Sequence, residues 1–206
     1  KYIIHSHPLY DHYGSKIEQN KAKENLGIPL DKKVILFFGF IRDYKGLDLL
    51  IESMKNLDDD YILLIAGEVY GDFKKYDELI DRLKLRSRIN LQVRYIPETE
   101  IPVFFSAADV CVLPYRTATQ SGIVGIAYHF DLPVIVTDVG GLAEMVEENK
   151  TGLIIGKSGS ADLTEAISTY FNDNLVSKFV PFIAEYKTQN SWNGLADVIT
   201  RLSTKL

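Results

Sequence analysis

The 206-residue chain lacks the features of disulfide-rich, membrane-spanning and nucleic-acid-binding proteins. Its one cysteine, Cys111, cannot form an internal disulfide and lies in an apolar run, so we predict a buried, unreactive thiol. No apolar run approaches the roughly 20 residues that cross a bilayer, and no signal peptide is visible, which predicts a cytoplasmic protein without direct membrane insertion. The net charge is −5 without a block of like charges, which argues against a general nucleic-acid surface.

What the chain does have is enough apolar sequence for one sizeable core, with 46% hydrophobic residues. It begins at Lys1 rather than at a methionine, and its first segment is polar and irregular, with a helix expected around residues 16–25. We therefore expect residues 1–32 to be a connector from a missing N-terminal domain. Residues 33–206 are expected to form one domain.

Short apolar runs rich in β-branched and aromatic residues alternate with amphipathic stretches. Most of the runs are continuously apolar, as expected for parallel strands that are covered on both faces. This alternation predicts an α/β fold, a doubly wound, Rossmann-like parallel sheet followed by C-terminal helices. The predicted strands are residues 33–40, 61–66, 89–93, 110–113, 133–137 and 152–155, and the predicted final helices are 160–171, 174–186 and 192–204.

Ligands of doubly wound sheets bind at the carboxyl ends of the strands, so we expect the site in the loops after residues 40, 66, 94, 114 and 137. The first of these loops carries Arg42 and Lys45, three residues apart. Two cations at the end of a strand can face one crevice and bind a phosphate. The alternative is a pair of solvated surface cations. Neither a Walker A motif nor a Gly-x-Gly-x-x-Gly loop follows a strand, which argues against P-loop and NAD-type sites.

A second candidate loop leads from the strand at residues 110–113 into a helix that begins near residues 120–122. Free N–H groups and the helix dipole at such a start favour an anion, and Ser121 with Gly122 would let a ligand approach the backbone. Ordinary N-capping by Thr119 or Ser121 would produce the same pattern. In a third loop, at Gly140-Gly141 and Glu144, a tight structural turn and a ligand contact are equally compatible with the sequence.

Taken together, these motifs resemble the C-terminal, donor-binding domain of family 4 (group 1) retaining glycosyltransferases of GT-B fold. The resemblance covers roughly residues 33–156, and the tail around Trp192 is similar as well. The matching elements are Gly39, Arg42, Lys45-Gly46, Ala108 to Pro114, Leu132 to Gly141 with Glu144, and Thr151 to Leu153.

The resemblance implies that this domain binds a nucleoside diphosphate sugar, UDP- or GDP-linked, and that the missing half binds a saccharide or lipid-linked acceptor. It implies that Arg42 and Lys45 bind the diphosphate and stabilise the leaving group. No metal or other cofactor is implied, and any membrane contact would be peripheral, at the inner membrane, through the missing half. The implied donor-binding residues are Gly39, Arg94, Ile96, Thr119, Gln120, Ser121, Gly122 and Ile123.

The chain departs from the family where two glutamates stand eight residues apart, one near the donor sugar and one on the ribose. Ala118 and Ile126 occupy these positions, so Gln120 or Thr119 would have to contact the sugar instead. Two alternatives therefore stay open: a non-catalytic nucleotide-sugar-binding module, or another GT-B enzyme such as an epimerase or phosphorylase. A metal site at His5, His7, Asp11 and His12 is not expected, and His129 is expected to be structural.

Overall fold

A computed structural model of the chain describes residue 2 and residues 8–10, 12–156 and 159–203. Within these ranges, six strands form one parallel sheet. They are Lys33–Phe38 (β1), Tyr61–Ala66 (β2), Ile89–Gln92 (β3), Val110–Leu113 (β4), Val134–Thr137 (β5) and Gly152–Ile155 (β6).

The strand order is β3-β2-β1-β4-β5-β6, and every neighbouring pair is parallel. The chain winds outward from β1 to β3, returns to the middle at β4, and then winds outward the other way. The order therefore reverses between β1 and β4, where Ile35 pairs with Val110. In open α/β sheets such a reversal leaves a crevice at the carboxyl edge, because the loops on its two sides diverge.

Helices cover both faces of the sheet. Their bounds are Gln19–Asn25 (α1), Leu47–Ser53 (α2), Lys74–Arg82 (α3), Ile101–Ala107 (α4), Gly122–His129 (α5), Ser160–Asn172 (α6), Leu175–Gln189 (α7) and Trp192–Ser203 (α8). No described helix is long and apolar enough to span a membrane.

The two faces of each strand contribute to different cores because side chains alternate along a strand. On β1, Ile35 and Phe37 pack into one apolar layer, whereas Val34, Leu36 and Phe38 pack into the other. All five are buried. Continuous apolar runs were expected for strands covered on both sides, and the two layers confirm that prediction.

The predicted strands and final helices are confirmed within a few residues at each end. The helix predicted to end at residue 186 continues to Gln189, and β1, which was predicted to extend to residue 40, ends at Phe38. Gly39 has φ +100°, a left-handed conformation that a strand cannot continue through. The loop after Gly39 leads to a short 3₁₀ turn at Asp43–Lys45.

The described part of the segment before β1 packs on the sheet domain. The backbone N–H of Ile17 donates to Ser106 Oγ at 3.1 Å, and Gln19 Nε2 donates to Asp109 Oδ1 at 2.9 Å. Ala22 on α1 is fully buried. Farther back, the N–H of Leu9 donates to the carbonyl of Asn190 at 2.9 Å. These contacts tie the predicted connector to α4 and to the end of α7.

Candidate functional site

Glycines bring the loops at the carboxyl edge of β1, β2 and β4 into close contact. Gly67 has φ +143°, and a Cβ there would lie 2.1 Å from the carbonyl oxygen of Gly39. Gly46 has φ +68°, and its Cβ would lie 2.1 Å from the carbonyl oxygen of Pro114. No other residue type allows such approaches. The loops that border the reversal in strand order therefore form one continuous wall.

Lys45 is the buried cation of this wall. Its residue is only 8% exposed, and its Nζ lies 5.2 Å from the centre of the Tyr115 ring. Among the described residues it has neither a hydrogen-bond acceptor nor a carboxylate partner for this nitrogen. Burial and then the charge of Arg42 lower the pKa of Lys45 to about 8. A desolvated ammonium without a counter-ion is a site that an anion would stabilise.

Arg42 lies at the same edge but is exposed. Its guanidinium stands over the ring of Tyr70 at 4.7 Å and over that of Phe40 at 5.7 Å. No ion pair to Arg42 occurs in the described part of the chain. The charge of Arg42 contributes to the lowering of the Lys45 pKa, so the two cations repel each other at this edge of the sheet. The aromatic contacts hold the planar guanidinium without neutralising it.

A cavity of about 220 Å³ opens in front of Lys45. Its walls are mostly apolar, with one cation and one carboxylate. Residues that follow β1, β2 and β3 and the start of α5 line it: Phe38, Gly39, Phe40, Lys45, Gly67, Glu68, Tyr95, Ile96 and Ile123. We call this space the switch-point cavity. An apolar pocket with few charged groups is the usual form of a small-molecule site.

The start of α5 borders this cavity and a second one. Ser121 caps the helix, its Oγ accepting from the N–H of Ile123 at 3.4 Å and lying 3.3 Å from the Tyr115 hydroxyl. Burial raises the pKa of Tyr115, so its hydroxyl stays neutral. A second cavity of about 170 Å³ lies on the other side of the helix start. We call it the α5 cavity; it is lined by Pro8, Leu9, Tyr10, Gln120, Ser121, Gly122, Gly125 and Met145.

The loop after β5 supports the loop after β4. A Cβ on Gly140, which has φ +51°, would lie 1.7 Å from the carbonyl oxygen of Ala118, and one on Gly141 would lie 2.2 Å from that of Thr119. These glycines are required for backbone packing beneath the start of α5. Glu144, on the next turn, is exposed and lines neither cavity. The structural interpretation of the Gly-Gly motif therefore has direct support.

The structure divides the ten predicted site residues into three groups. Gly39, Lys45, Ile96 and Ile123 line the switch-point cavity, and Gln120, Ser121 and Gly122 line the α5 cavity. The remaining three, Arg42, Arg94 and Thr119, line neither. Arg94 is paired with Glu100 through both guanidinium nitrogens, and one of them also donates to the carbonyl of Tyr95 at 3.2 Å.

Neither position of the missing glutamate pair provides a substitute carboxylate. Ile126 is 7% exposed and packs in the apolar layer beneath α5, and Ala118 packs against the same layer. Of the polar neighbours considered from sequence, Gln120 lines the α5 cavity, whereas Thr119 contributes its carbonyl to the contact with Gly141.

Sequence reasoning missed several lining residues. In the switch-point cavity these include Glu68 and Tyr95, and in the α5 cavity they are Pro8, Leu9, Tyr10, Gly125 and Met145. A signal existed for Glu68, which stands two residues after β2, in a loop where a ligand was expected. The segment around Leu9 carried no such signal, because its contact with α5 joins distant parts of the chain.

Residues 2, 8–10, 12–156 and 159–203 contain no group of three or more metal-ligating side chains. His12 Nε2 lies 4.0 Å from Glu98 Oε1. His5, His7 and Asp11 lie outside the described residues. His129 Nε2 bonds to the carbonyl of Gly14 at 2.6 Å, which confirms a structural role.

Cys111 is fully buried on β4, and burial raises its thiol pKa to about 12, as an unreactive thiol requires.

The strand order, the close loops and the cation-bearing cavity at the order reversal define a Rossmann-like ligand-binding domain of the kind found in GT-B glycosyltransferases. Comparison with known proteins identifies the family. The family model for glycosyl transferases group 1 matches residues 18–189, so the chain belongs to that family.

One curated relative is the D-inositol 3-phosphate glycosyltransferase of Corynebacterium urealyticum. It is 28% identical over an alignment of 206 positions that covers 93% of this chain and 48% of the relative. The chain spans about half the length of the curated relatives it matches. The C-terminal domain of the group 1 family protein LpcC from Francisella tularensis has a similar fold, with a TM-score of 0.73 and 19% identity over 86% of this chain and 94% of that one.

Another solved structure of the same fold is Anabaena Alr3699/HepE in complex with UDP. Its TM-score is 0.78 at 19% identity, over 93% of this chain and 56% of that one. The same protein has also been solved with UDP-glucose. The family match confirms the predicted family, and these structural likenesses confirm the predicted fold class.

Proposed function

We propose that this chain is the donor-binding part of a glycosyltransferase that moves a sugar from a nucleoside diphosphate sugar to an acceptor hydroxyl with retention of configuration. The donor's diphosphate would lie against Lys45 and Arg42, and its nucleoside would occupy the switch-point cavity. The acceptor, a saccharide or a lipid-linked saccharide, would be held by the remainder of the protein.

The observation that carries this proposal is Lys45. A lysine that is 8% exposed, with no carboxylate near its Nζ among the described residues, is costly unless a ligand anion completes the site. It stands at the reversal of strand order, where ligands of this class of sheet bind. Complexes of Anabaena HepE with UDP and UDP-glucose support the choice of a nucleotide sugar and favour UDP over GDP.

The proposed role of the basic residues depends on where negative charge develops during sugar transfer. When the bond between the sugar and the diphosphate breaks, negative charge accumulates on the leaving phosphate. Lys45, which lines the switch-point cavity, and the start of α5, which borders it, would stabilise that charge in the transition state, and the exposed Arg42 would join them by turning from Tyr70 towards the diphosphate. Gln120, which lines the α5 cavity, is the polar side chain best placed to contact the donor sugar.

The first test is calorimetric titration of the chain with UDP, GDP, ADP and NAD. We expect one nucleoside diphosphate to bind and NAD to be inert. The variant Arg42→Ala with Lys45→Ala should lose at least about 10-fold in affinity, since each charge-assisted hydrogen bond contributes roughly 1.5–3 kcal/mol.

The matched control is Lys74→Ala with Lys150→Ala, which removes two exposed lysines whose side chains are 74% and 54% exposed and form ion pairs with the surface glutamates Glu78 and Glu147. It changes the net charge equally and should bind like the wild type. Unchanged binding by a folded Arg42→Ala, Lys45→Ala variant would disprove the assigned phosphate site.

A non-catalytic nucleotide-sugar-binding module is the second candidate function. It is favoured by the burial of Ile126 and by Ala118, which leave both glutamate positions without a carboxylate. The complete protein separates the candidates. Acceptor-dependent sugar transfer would exclude the binding module, and the anomeric configuration of the product, read by NMR, would test retention. Conversion of the nucleotide sugar without an acceptor would indicate an epimerase or hydrolase.

A further inference from the structure

We propose that Glu68 is the residue that recognises the ribose of the nucleotide, its carboxylate accepting hydrogen bonds from the 2′ and 3′ hydroxyls. This inference rests on the proposed function and adds to it a residue that determines specificity for ribonucleotides over deoxyribonucleotides. Of the described residues that line the switch-point cavity, Glu68 is the only one with a carboxylate.

The position of Glu68 along the cavity matches the order of groups in a nucleoside diphosphate. Neighbouring strands lie about 4.8 Å apart, so each strand of the sheet marks a step along its carboxyl edge. Lys45 stands between β1 and β4, beside Gly39 and Ile123. Glu68 follows β2, one strand farther on, and Tyr95 follows β3. Phosphate, ribose and base occur in the same sequence in the ligand.

The backbone around Glu68 is held in place on both sides. The carbonyl of Glu68 accepts from the N–H of Ile41 at 2.8 Å, and the N–H of Tyr70 donates to the carbonyl of Ile41 at 3.1 Å. The N–H of Gly67 donates to the carbonyl of Gln92 at 3.1 Å. These bonds attach the loop after β2 to the loop after β1 and to the end of β3. A fixed backbone limits where the carboxylate can reach.

The carboxylate itself makes no hydrogen bond or ion pair within the described ranges, and the side chain is exposed at the cavity mouth. Its two oxygens are acceptors only, which suits a pair of adjacent hydroxyls that donate to it. The phosphates of the ligand would repel the Glu68 carboxylate if they lay next to it. A ribose that lies one strand away from Lys45 instead supplies hydrogen-bond donors to Glu68 and separates its carboxylate from the diphosphate. The apolar lining between them, with Gly39 and Gly67, offers no competing donor side chain.

The test compares the ribonucleotide with its deoxy counterpart by calorimetry. Wild-type chain, Glu68→Ala and Glu68→Gln are titrated with UDP and 2′-deoxy-UDP, or with GDP and 2′-deoxy-GDP if GDP is the nucleotide that binds. We expect the wild type to bind the ribonucleotide about 10-fold more tightly, because a hydrogen bond to a charged group is lost in the deoxy compound. In Glu68→Ala the two compounds should bind with nearly equal affinity, and Glu68→Gln should fall between.

The control variant is Glu24→Gln, which removes one exposed carboxylate on α1 outside both cavities and should keep the wild-type ratio. Equal discrimination by wild type and Glu68→Ala would overturn the inference while the proposed function stood. The inference would also be overturned if Glu68→Ala lost affinity equally for the ribonucleotide and the deoxyribonucleotide. The same holds if Glu68→Ala changed the preference between UDP and GDP while the ratio of ribonucleotide to deoxyribonucleotide affinity stayed constant. If the wild type binds no nucleoside diphosphate, the proposed function fails, and the inference fails with it.

Discussion

Lys45 and Lys23 are both buried, at 8% and 5% exposure, but only one of them is satisfied within the described protein. Lys23 Nζ donates to the carbonyls of Lys32 and Leu30, at 2.7 and 3.3 Å. Lys45 Nζ has no such acceptor, and burial lowers its pKa to about 8. A buried charge with hydrogen bonds supports a fold, whereas one without them costs stability and is retained for a ligand.

We therefore expect Lys45→Met to stabilise the free chain at pH 7. The pKa of Lys45 is about 8 in the folded chain and 10.5 in the unfolded chain, so the charged form is disfavoured by folding. The corresponding cost is on the order of 3 kcal/mol below pH 8, and it disappears as pH rises from about 8 to about 10.5, where the unfolded chain binds the extra proton. Urea unfolding of the wild type and the variant between pH 7 and pH 10.5 would measure this difference.

The stability gap between Lys45→Met and the wild type should narrow as pH rises through that window. Lys23→Met is the matched control and should destabilise the chain by about 1–3 kcal/mol, since the carbonyls of Leu30 and Lys32 lose their charged donor. A Lys45→Met variant that is less stable than the wild type at pH 7 would show that Lys45 contributes to folding and is not held as an unpaired charge.

At the scale of elements, the site depends on how loops rest on one another. The turn at Gly140-Gly141 fills the space beneath the carbonyls of Ala118 and Thr119, immediately before α5 begins. The chain has no room there for a side chain. Similar contacts join Gly67 to Gly39 and Gly46 to Pro114. Four loops thus fix the two cavities through backbone contacts.

Gly140→Ala should destabilise the chain by at least about 2 kcal/mol, because its methyl group would meet the Ala118 carbonyl and φ +51° is unfavourable for alanine. In a domain of this size the melting temperature should fall by roughly 4–8 °C, as measured by circular dichroism. Gly122→Ala provides the comparison: nothing lies within 4 Å of its Cβ, and it should melt at or slightly above the wild-type temperature. Equal melting temperatures for Gly140→Ala and the wild type would mean that the loop after β4 can move away from the added methyl group at little cost in free energy.

The sequence predicted the elements more completely than the site. Continuously apolar runs revealed six parallel strands, and Leu47, Leu50, Ile51 and Met54, at helical spacing along α2 and the turn after it, are all fully buried. Seven of the ten predicted site residues line the two cavities, since the ends of parallel strands meet at one edge. Arg94 does not, because Glu100, six residues later, engages its guanidinium. An ion pair between exposed side chains, such as the one between Arg94 and Glu100, cannot be predicted from the pattern of hydrophobic residues.

At the scale of the whole molecule, Cys111 reports on global unfolding. It is fully buried in β4, between β1 and β5, and burial raises the pKa of its thiol to about 12. We expect a thiol reagent to label it only through global unfolding, so the free energy from labelling should equal that from urea unfolding. A nucleoside diphosphate at 100 times its Kd should slow labelling about 100-fold, through the roughly 2.7 kcal/mol of stabilisation that ligand binding adds.

Labelling in denaturing urea supplies the reference rate for a freely accessible thiol. If the reagent reacted quickly in native buffer at a rate independent of urea, β4 would open locally, and the centre of the sheet would not be the most stable part of the chain. A nucleotide that binds by calorimetry without slowing the labelling would contradict the coupling between site and core.

The sequence by itself determined the sheet, because a strand that is buried on both faces needs apolar residues at consecutive positions. It also predicted the edge of the sheet at which a ligand is expected, because the carboxyl ends of parallel strands share that edge. Only the tertiary structure decided which side chains share the cavity. Arg42 and Lys45 are three residues apart in sequence, yet Arg42 is exposed and contacts Tyr70, whereas Lys45 is buried and lines the switch-point cavity. Glu68, from the loop after β2, lines the same cavity. The close approach of glycine-bearing loops sets these positions, and that approach depends on chain segments far apart in sequence.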